Sequence, residues 1–265
     1  MLPLLESVHN PKIKGVLNLL EKPKERRDSA LFVVEGAREL SMALAAGYLT
    51  QALYYLPQIL PHPHQQFKLP PELTCQPVAP NVYKKIAYRE STEGVIAVMF
   101  RKELGLSTLK LPHRPLVLVI EAVEKPGNIG AMLRTADAAQ VDAVLVCDPQ
   151  CDLYNPNLIR ASLGAVFGLP VVACSSAEAV AWLQQQDIHI YAATLQDSLS
   201  CYGQDYRQGC AFILGSEASG LSPLWQESAR ACIRIPMRGS MDSLNVSVSA
   251  AILLFEAVRQ RASGV

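Results

Sequence analysis

Residues 115–148 read PLVLVIEAVEKPGNIGAMLRTADAAQVDAVLVCD. Two runs within it, Leu116–Ala122 and Ala143–Cys147, are apolar at consecutive rather than alternate positions, as expected of strands covered on both faces. Between them the turn Pro126-Gly127-Asn128-Ile129-Gly130 opens a helix expected over Ile129–Ala139. Further strands are expected at Val171–Cys174, Ile188–Ala193, Ala211–Leu214 and Cys232–Ile235, with helices at Asn157–Val166, Ala177–Gln186 and Leu244–Arg261. Strands alternating with helices predict an α/β fold: a mostly parallel sheet with helices on each side.

Upstream, a smaller α/β part is expected. It comprises a helix over Pro11–Leu20, the strand ALFVVEG, a helix over Ala37–Ala46, the strand ALYYL, a helix over Asn81–Ala87 and the strand GVIAVMF. Residues 56–73 hold Pro57, Pro61, Pro63, Pro70 and Pro71, and read as an irregular surface loop without regular helix or strand. The polar stretch RKELGLSTLKLPHR, residues 101–114, marks a boundary, giving domains at 1–105 and 106–265.

The 265 residues are 50% hydrophobic and 18% charged, enough for a sizeable core and against extensive disorder. Lys plus Arg is 24 and Asp plus Glu is 24, which excludes a general basic coat and an acidic tail. The balance is uneven along the chain, with 14 cations against 10 anions in residues 1–110 and 10 against 14 in residues 111–265. Lys12, Lys14, Lys22, Lys24, Arg26 and Arg27 cluster near the start and read as a focused nucleic-acid face. No apolar run approaches a membrane span of about 18 residues, and MLPLLESVHNPKIKG lacks the pattern of a secretory signal. No membrane partner and a cytoplasmic location are therefore expected. The seven cysteines are odd in number and scattered, so they read as reduced, mostly core thiols, and no metal site is expected.

Ligands of parallel sheets bind beyond the carboxyl ends of the strands. Three segments there hold polar residues. In the first, Asn128 and Arg134 follow a strand. Its G-x-x-G spacing lacks the middle glycine of a dinucleotide turn, which disfavours an NAD-dependent oxidoreductase; Asn128 as a cap and Arg134 as a solvated charge stay open. In the second, LGSEASGL, Glu217 sits among glycines, as a ligand acceptor or a helix cap. In the third, IPMRGSMDSLNV, Ser243 and Asn245 stand at the start of a helix, as helix caps or as ligand-holding residues, and the helix residues Leu244, Val248, Ala251, Ile252, Phe255 and Val258 read as core or subunit interface.

In this order the three segments resemble the motifs of the SpoU (TrmH) family of RNA ribose 2′-O-methyltransferases, in the SPOUT superfamily. The first motif is Asn128-Ile-Gly130-Ala-Met-Leu-Arg134-Thr135. The second is Leu214-Gly215-Ser-Glu217-Ala-Ser-Gly220-Leu221, and the third runs from Ile235-Pro236-Met237 to Ser243-Leu244-Asn245-Val246. The segment NPKIKGVLNLLEKPKERRDSALFVVEG resembles the family's N-terminal substrate-binding domain, related to an RNA-binding ribosomal-protein fold.

The resemblance implies a trefoil-knotted C-terminal domain, which general topology rules would not suggest. It implies S-adenosylmethionine as co-substrate, held by Thr194, Leu195, Gly215, Ile235, Met237, Ser243 and Leu244. It further implies a homodimer, and structured RNA as partner, ribosomal RNA ahead of transfer RNA. Catalysis is expected from Arg134, with Asn128, Glu217 and Asn245 orienting it or the ribose, and Arg238 beside the RNA. A guanidinium is almost always protonated, so Arg134 is expected to stabilise the 2′-oxygen rather than act as a base. A non-catalytic RNA-binding or assembly protein on the same scaffold is the alternative from another class. The five histidines fall outside the motifs. Tyr54, Tyr55, Tyr83 and Tyr88 read as core, with base stacking as the alternative.

Overall fold

Asn10 starts the first helix, α1 (Pro11–Glu21): its side chain accepts the Lys12 N–H, and Pro11 needs no hydrogen bond of its own at the first helical position. Ile13, Val16 and Leu19, three residues apart, form the buried face of α1 and join Val33, Tyr54, Ile96 and Val98 in one apolar core. The computed structural model describes residues 2–87 and 93–262. It divides into two units, Met1–Lys102 with Asp152–Gly168, and Glu103–Cys151 with Leu169–Val265.

In the first unit α2 (Pro23–Ser29) follows α1 and ends at Ala30 in the left-handed region. The strands β1 (Leu31–Glu35), β2 (Thr50–Tyr55), β3 (Thr74–Pro77) and β4 (Val95–Phe100) form a sheet in the order β1-β4-β2-β3. β4 runs antiparallel to β1 and β2, and β3 is parallel to β2. Up to Lys102 the unit also holds the helices α3 (Ala37–Ala45), α4 (Pro63–Gln66) and α5 (Pro80–Ile86).

The proline-rich stretch is more regular than expected. Pro63 opens the single turn α4, because proline is tolerated at the first helical position. Leu60, Pro63 and Leu69 are buried beneath the stretch. β3 follows directly, with Pro77 as its last residue on an edge strand, where a missing N–H is tolerated. Tyr54, Tyr55 and Tyr83 are core residues; Tyr88 lies outside the described residues.

Among its described residues the second unit holds seven strands: β5 (Leu116–Glu121), β6 (Ala143–Cys147), β7 (Val171–Cys174), β8 (His189–Ala193), β9 (Leu199–Ser200), β10 (Cys210–Leu214) and β11 (Ala231–Arg234). Their order is β7-β6-β5-β10-β8-β11-β9, and every pairing is parallel. The consecutive apolar positions of β5, β6 and β10 are all buried. β9, two residues long, has no signal in the sequence. Helix α6 (Pro126–Ala138) follows β5.

Between β6 and β7 the chain contributes α7 (Pro156–Ala161) and α8 (Ala165–Gly168) to the first unit. The single helix expected over Asn157–Val166 is broken, since Leu163 and Gly164 both have positive φ. A Cβ on Gly164 would lie 2.9 Å from Met42 Sδ, so glycine serves both the turn and the approach of α3. After β7 come α9 (Ser176–Gln185), α10 (Pro223–Ser228) and α11 (Val246–Ala262). α11 packs against α6 and buries Ala250, Leu253, Leu254 and Ala257. The sequence expectation placed Val248 and Phe255 in a core or interface; both are exposed within this chain. Among the described residues all seven cysteines are free thiols; Cys147, Cys201 and Cys210 are buried and the other four half-buried. Among the described residues no helix is long and apolar enough to cross a membrane.

Candidate active site

β5, β10, β8 and β11 lie side by side and parallel, so the segments leaving their carboxyl ends gather at the same end of the sheet. The loop after β10 begins at Gly215 and folds back on itself. A Cβ on Gly215 would lie 2.2 Å from the Gly220 carbonyl oxygen, so this close approach requires glycine. Gly220 itself has φ +67°, and the Ser216 hydroxyl accepts the N–H groups of Ala218 and Ser219 across the turn. The turn holds Glu217 outward.

The Glu217 carboxylate gathers three side chains from separate elements. Lys125, the residue before α6, donates from Nζ to Oε2 at 2.7 Å. Asn128, in the first turn of α6, donates from Nδ2 to Oε1 at 3.0 Å. Asn245, just before α11, donates from Nδ2 to the same oxygen at 2.9 Å and lies 3.3 Å from Asn128 Oδ1. The hydrogen bond from Lys125 is the main cause holding the Glu217 carboxyl below the usual carboxylate range, with smaller help from Asn128 and the Val246 N–H. Lys125 is raised in turn, chiefly by Glu217.

Asn245 works at both ends. Its Oδ1 accepts the Ser247 N–H at 3.0 Å and the Ser247 hydroxyl at 2.6 Å, so it caps α11 while its amide N–H group reaches Glu217. Of the two residues read as caps, Asn245 takes that place, and the Ser243 hydroxyl donates to Asp242. The helix starts two residues later than the sequence indicated, because the residues before Val246 are spent on the site.

Thr194, Leu195, Gly215, Ile235, Met237, Ser243 and Leu244, the seven residues expected to hold a donor, all line one cleft of about 490 Å³. Glu217 lines it too. The cleft mixes backbone-rich turns with apolar side chains and a few acids, the composition of a small-molecule site. Arg134 is exposed on α6, six residues beyond Asn128, and makes no hydrogen bond or ion pair among the described residues. Thus the structure brings Asn128, Glu217 and Asn245 together but does not bond Arg134 to them. Arg238 is exposed in the loop after β11. Lys125 was missed by the sequence reading; its place before the helix proline gave no signal that it pairs with a residue 92 positions away.

In the first unit, Lys12, Lys14, Lys22, Lys24 and Arg27 are exposed along α1 and α2. Arg26 is not a surface cation. It is 1% exposed, pairs with Asp152 at 2.6 Å, and donates to the carbonyls of Leu19 and Leu20. A guanidinium in that position completes buried acceptors and is withdrawn from any RNA contact.

Residues 115–255 match the SpoU rRNA Methylase family. The chain belongs to that family. Residues 10–97 match an MRM3-like substrate binding domain. Across 255 residues the chain is 30% identical to the 23S rRNA (guanosine(2553)-2′-O)-methyltransferase RlmP of Bacillus subtilis, covering 95% of this chain and 97% of that one. A crystal structure of an RNA 2′-O ribose methyltransferase superposes with TM-score 0.84 at 39% identity, over 98% of this chain and all of that one. The SpoU methyltransferase AviRb from Streptomyces viridochromogenes, in complex with the cofactor AdoMet, superposes with TM-score 0.86 at 27% identity, over 97% and 100%.

Proposed function

We propose that this SpoU-family chain transfers a methyl group from S-adenosylmethionine to a ribose 2′-hydroxyl of structured RNA, ribosomal RNA ahead of transfer RNA. The observation that carries the reading is the double position of Glu217: it lines the cleft and holds the amides of Asn128 and Asn245. A donor pocket and a polar hydroxyl-orienting group thus share one residue. The end-to-end likeness to a 23S rRNA enzyme favours ribosomal RNA.

The cleft fits a purine nucleoside with a short charged tail. The Gly215–Gly220 approach leaves backbone groups where a side chain would otherwise stand, and Ile235, Met237 and Leu244 supply apolar walls. Thr194, Leu195, Gly215, Ile235, Met237, Ser243 and Leu244 are the proposed donor contacts. The donor supplies an electrophilic methyl group on a sulfonium. The protein's own residues must place the 2′-oxygen, whose proton passes to solvent as the O–C bond forms, the S–C bond breaks and S-adenosylhomocysteine leaves. Glu217 is held ionised by Lys125, and a carboxylate with a lowered pKa is a poor base; its role is to orient. Arg134, carrying a permanent charge, stabilises the developing 2′-oxygen anion and clamps an adjacent phosphate.

The same proposal covers the finer architecture. The trefoil knot of the family is supported by β11, which lies between the earlier strands β8 and β9. A homodimer is supported by α11, where exposed Val248 and Phe255 stand with half-buried Ala251, Ile252 and Val258. Residues 1–105 are proposed to bind RNA through the Lys12–Arg27 face, without Arg26, and residues 106–265 to catalyse, with Arg238 near the RNA, in the cytoplasm.

The deciding experiment incubates the purified chain with labelled S-adenosylmethionine and either 23S rRNA or transfer RNA, and maps the product. A 2′-O-methylated ribose in rRNA is expected. Label in transfer RNA alone overturns the substrate reading, and label in neither overturns the activity.

A further inference from the structure

Glu121 ends β5 and is 5% exposed, yet no step of the proposed reaction uses it. A buried carboxylate persists only when its oxygens are hydrogen-bonded. Here Oε2 accepts the Ser222 N–H at 2.9 Å. Oε1 lies 2.6 Å from the Ser222 hydroxyl and 3.0 Å from the Ser176 hydroxyl. Ser176 opens α9 and also contacts Asp148, through its hydroxyl at 2.6 Å and its N–H at 3.2 Å. Trp225 of α10, fully buried, donates its indole N–H to the same hydroxyl at 3.2 Å. One carboxylate thus ties the end of β5 to the starts of α9 and α10.

The place of Ser222 gives this network its consequence. Ser222 directly follows Leu221, and the loop Gly215–Leu221 forms one wall of the cleft. The loop closes at its base through the Gly215–Gly220 approach and the Ser216–Gly220 bridge. Its exit is held at Ser222, where both the backbone N–H and the hydroxyl end on Glu121. With that anchor gone, the base contact would still close the turn, but nothing in the network would fix how the turn stands against the cleft.

We infer that Glu121 is a positioning residue for the methyl donor, setting the wall of the cleft through Ser222. The inference rests on the proposed reading of the cleft as the donor site. Its effect is on donor affinity, with RNA recognition untouched.

The test measures S-adenosylhomocysteine binding by calorimetry and methylation kinetics on the full chain. Wild type is measured first, because failure of wild type to bind overturns the donor reading itself. Glu121→Gln removes the charge; with its carbonyl on the Ser222 N–H, its amide N–H groups meet two hydroxyls that must turn from donors into acceptors, so the charge-assisted bonds are replaced by weaker neutral ones. Donor Kd and donor KM are expected to rise about tenfold, with RNA KM within about twofold of wild type. Glu121→Asp keeps the charge and should recover part of the loss. Ser222→Ala removes one of the bonds and should shift donor Kd in the same direction by less. If wild type binds and a folded Glu121→Gln binds equally well, the inference falls alone. Equal rises in both KM values, tracking a lowered Tm, also overturn it in favour of a purely structural role. Should Glu121→Gln fail to fold, an unchanged donor Kd in Ser222→Ala overturns it.

Discussion

Lys125 Nζ stands 2.7 Å from Glu217 Oε2, joining the start of α6 to the loop after β10. The pair is exposed on the lysine side, so its contribution to stability is small. Its effect is on charge: it keeps Glu217 ionised and frees the other oxygen for two amides. Glu217 has a depressed pKa in the folded chain, so its interactions are complete above the ordinary carboxylate range and are lost as pH falls through the depressed value. Lys125→Ala should move the Glu217 titration up towards the ordinary value, read by carbon NMR of the carboxyl. Methylation should fall several-fold, up to about tenfold, with little change in Tm. An unmoved Glu217 titration would remove Lys125 from the site.

Asn245 separates two functions that a single substitution usually confounds. Asn245→Asp keeps the oxygen that caps α11 and replaces the amide donor with a negative charge facing Glu217. Its thermal stability should stay close to wild type while methylation collapses. Asn245→Ala removes both and should also lose about 1 kcal/mol of stability, the usual cost of a helix cap. Thermal melts read beside turnover assays check the pair. If Asn245→Asp keeps full activity, the bond to Glu217 has no role in catalysis.

The seven residues that line the cleft were nameable only through the likeness to the family motifs; strand ends followed by glycines or a helix start marked the region but not the residues. The mutual bonding of Asn128, Glu217 and Asn245 was legible only as co-occurrence of motifs. Lys125 and Glu121 were not, because each acts through a partner about a hundred positions away. Arg26 was misread for a similar reason. In sequence it sits among exposed cations, and only Asp152, 126 positions away, reveals that it is a core residue. The proline-rich stretch failed differently, since proline position within a helix turn matters more than proline number.

Arg26 and its neighbours should therefore respond differently to neutralisation. Arg26→Met removes the buried guanidinium that pairs with Asp152 and completes the Leu19 and Leu20 carbonyls, and should destabilise the chain by about 3–5 kcal/mol in urea. Lys12→Gln with Lys14→Gln alters only exposed side chains. That double variant should keep its Tm, weaken RNA binding and flatten the salt dependence of log Kd by about 2, near one per charge. Equal destabilisation by both variants would contradict the placement of Arg26.

Phe255 offers a test of association. It is 46% exposed on α11 although the opposite face of that helix is fully buried. Phe255→Glu should leave the folded chain intact and convert a dimer to a monomer in analytical ultracentrifugation. A wild type that sediments as a monomer would refute the dimer directly.

Arg134 is the sharpest test of the chemistry, because it stands on the helix of Asn128 yet is bonded to none of the three polar residues. An unpaired guanidinium has its donors available for an incoming anion or alkoxide. Arg134→Ala should bind S-adenosylhomocysteine as wild type does and lose methylation by about a hundredfold or more, the scale of removing one electrostatic stabiliser. Arg134→Lys keeps the charge but loses the planar fork, and should recover only part of the rate. Raising pH cannot rescue Arg134→Ala if the arginine is a stabiliser, whereas a lost base would leave a rate that climbs with hydroxide. Wild-type turnover in Arg134→Ala, with donor binding intact, would move the catalytic role to another residue.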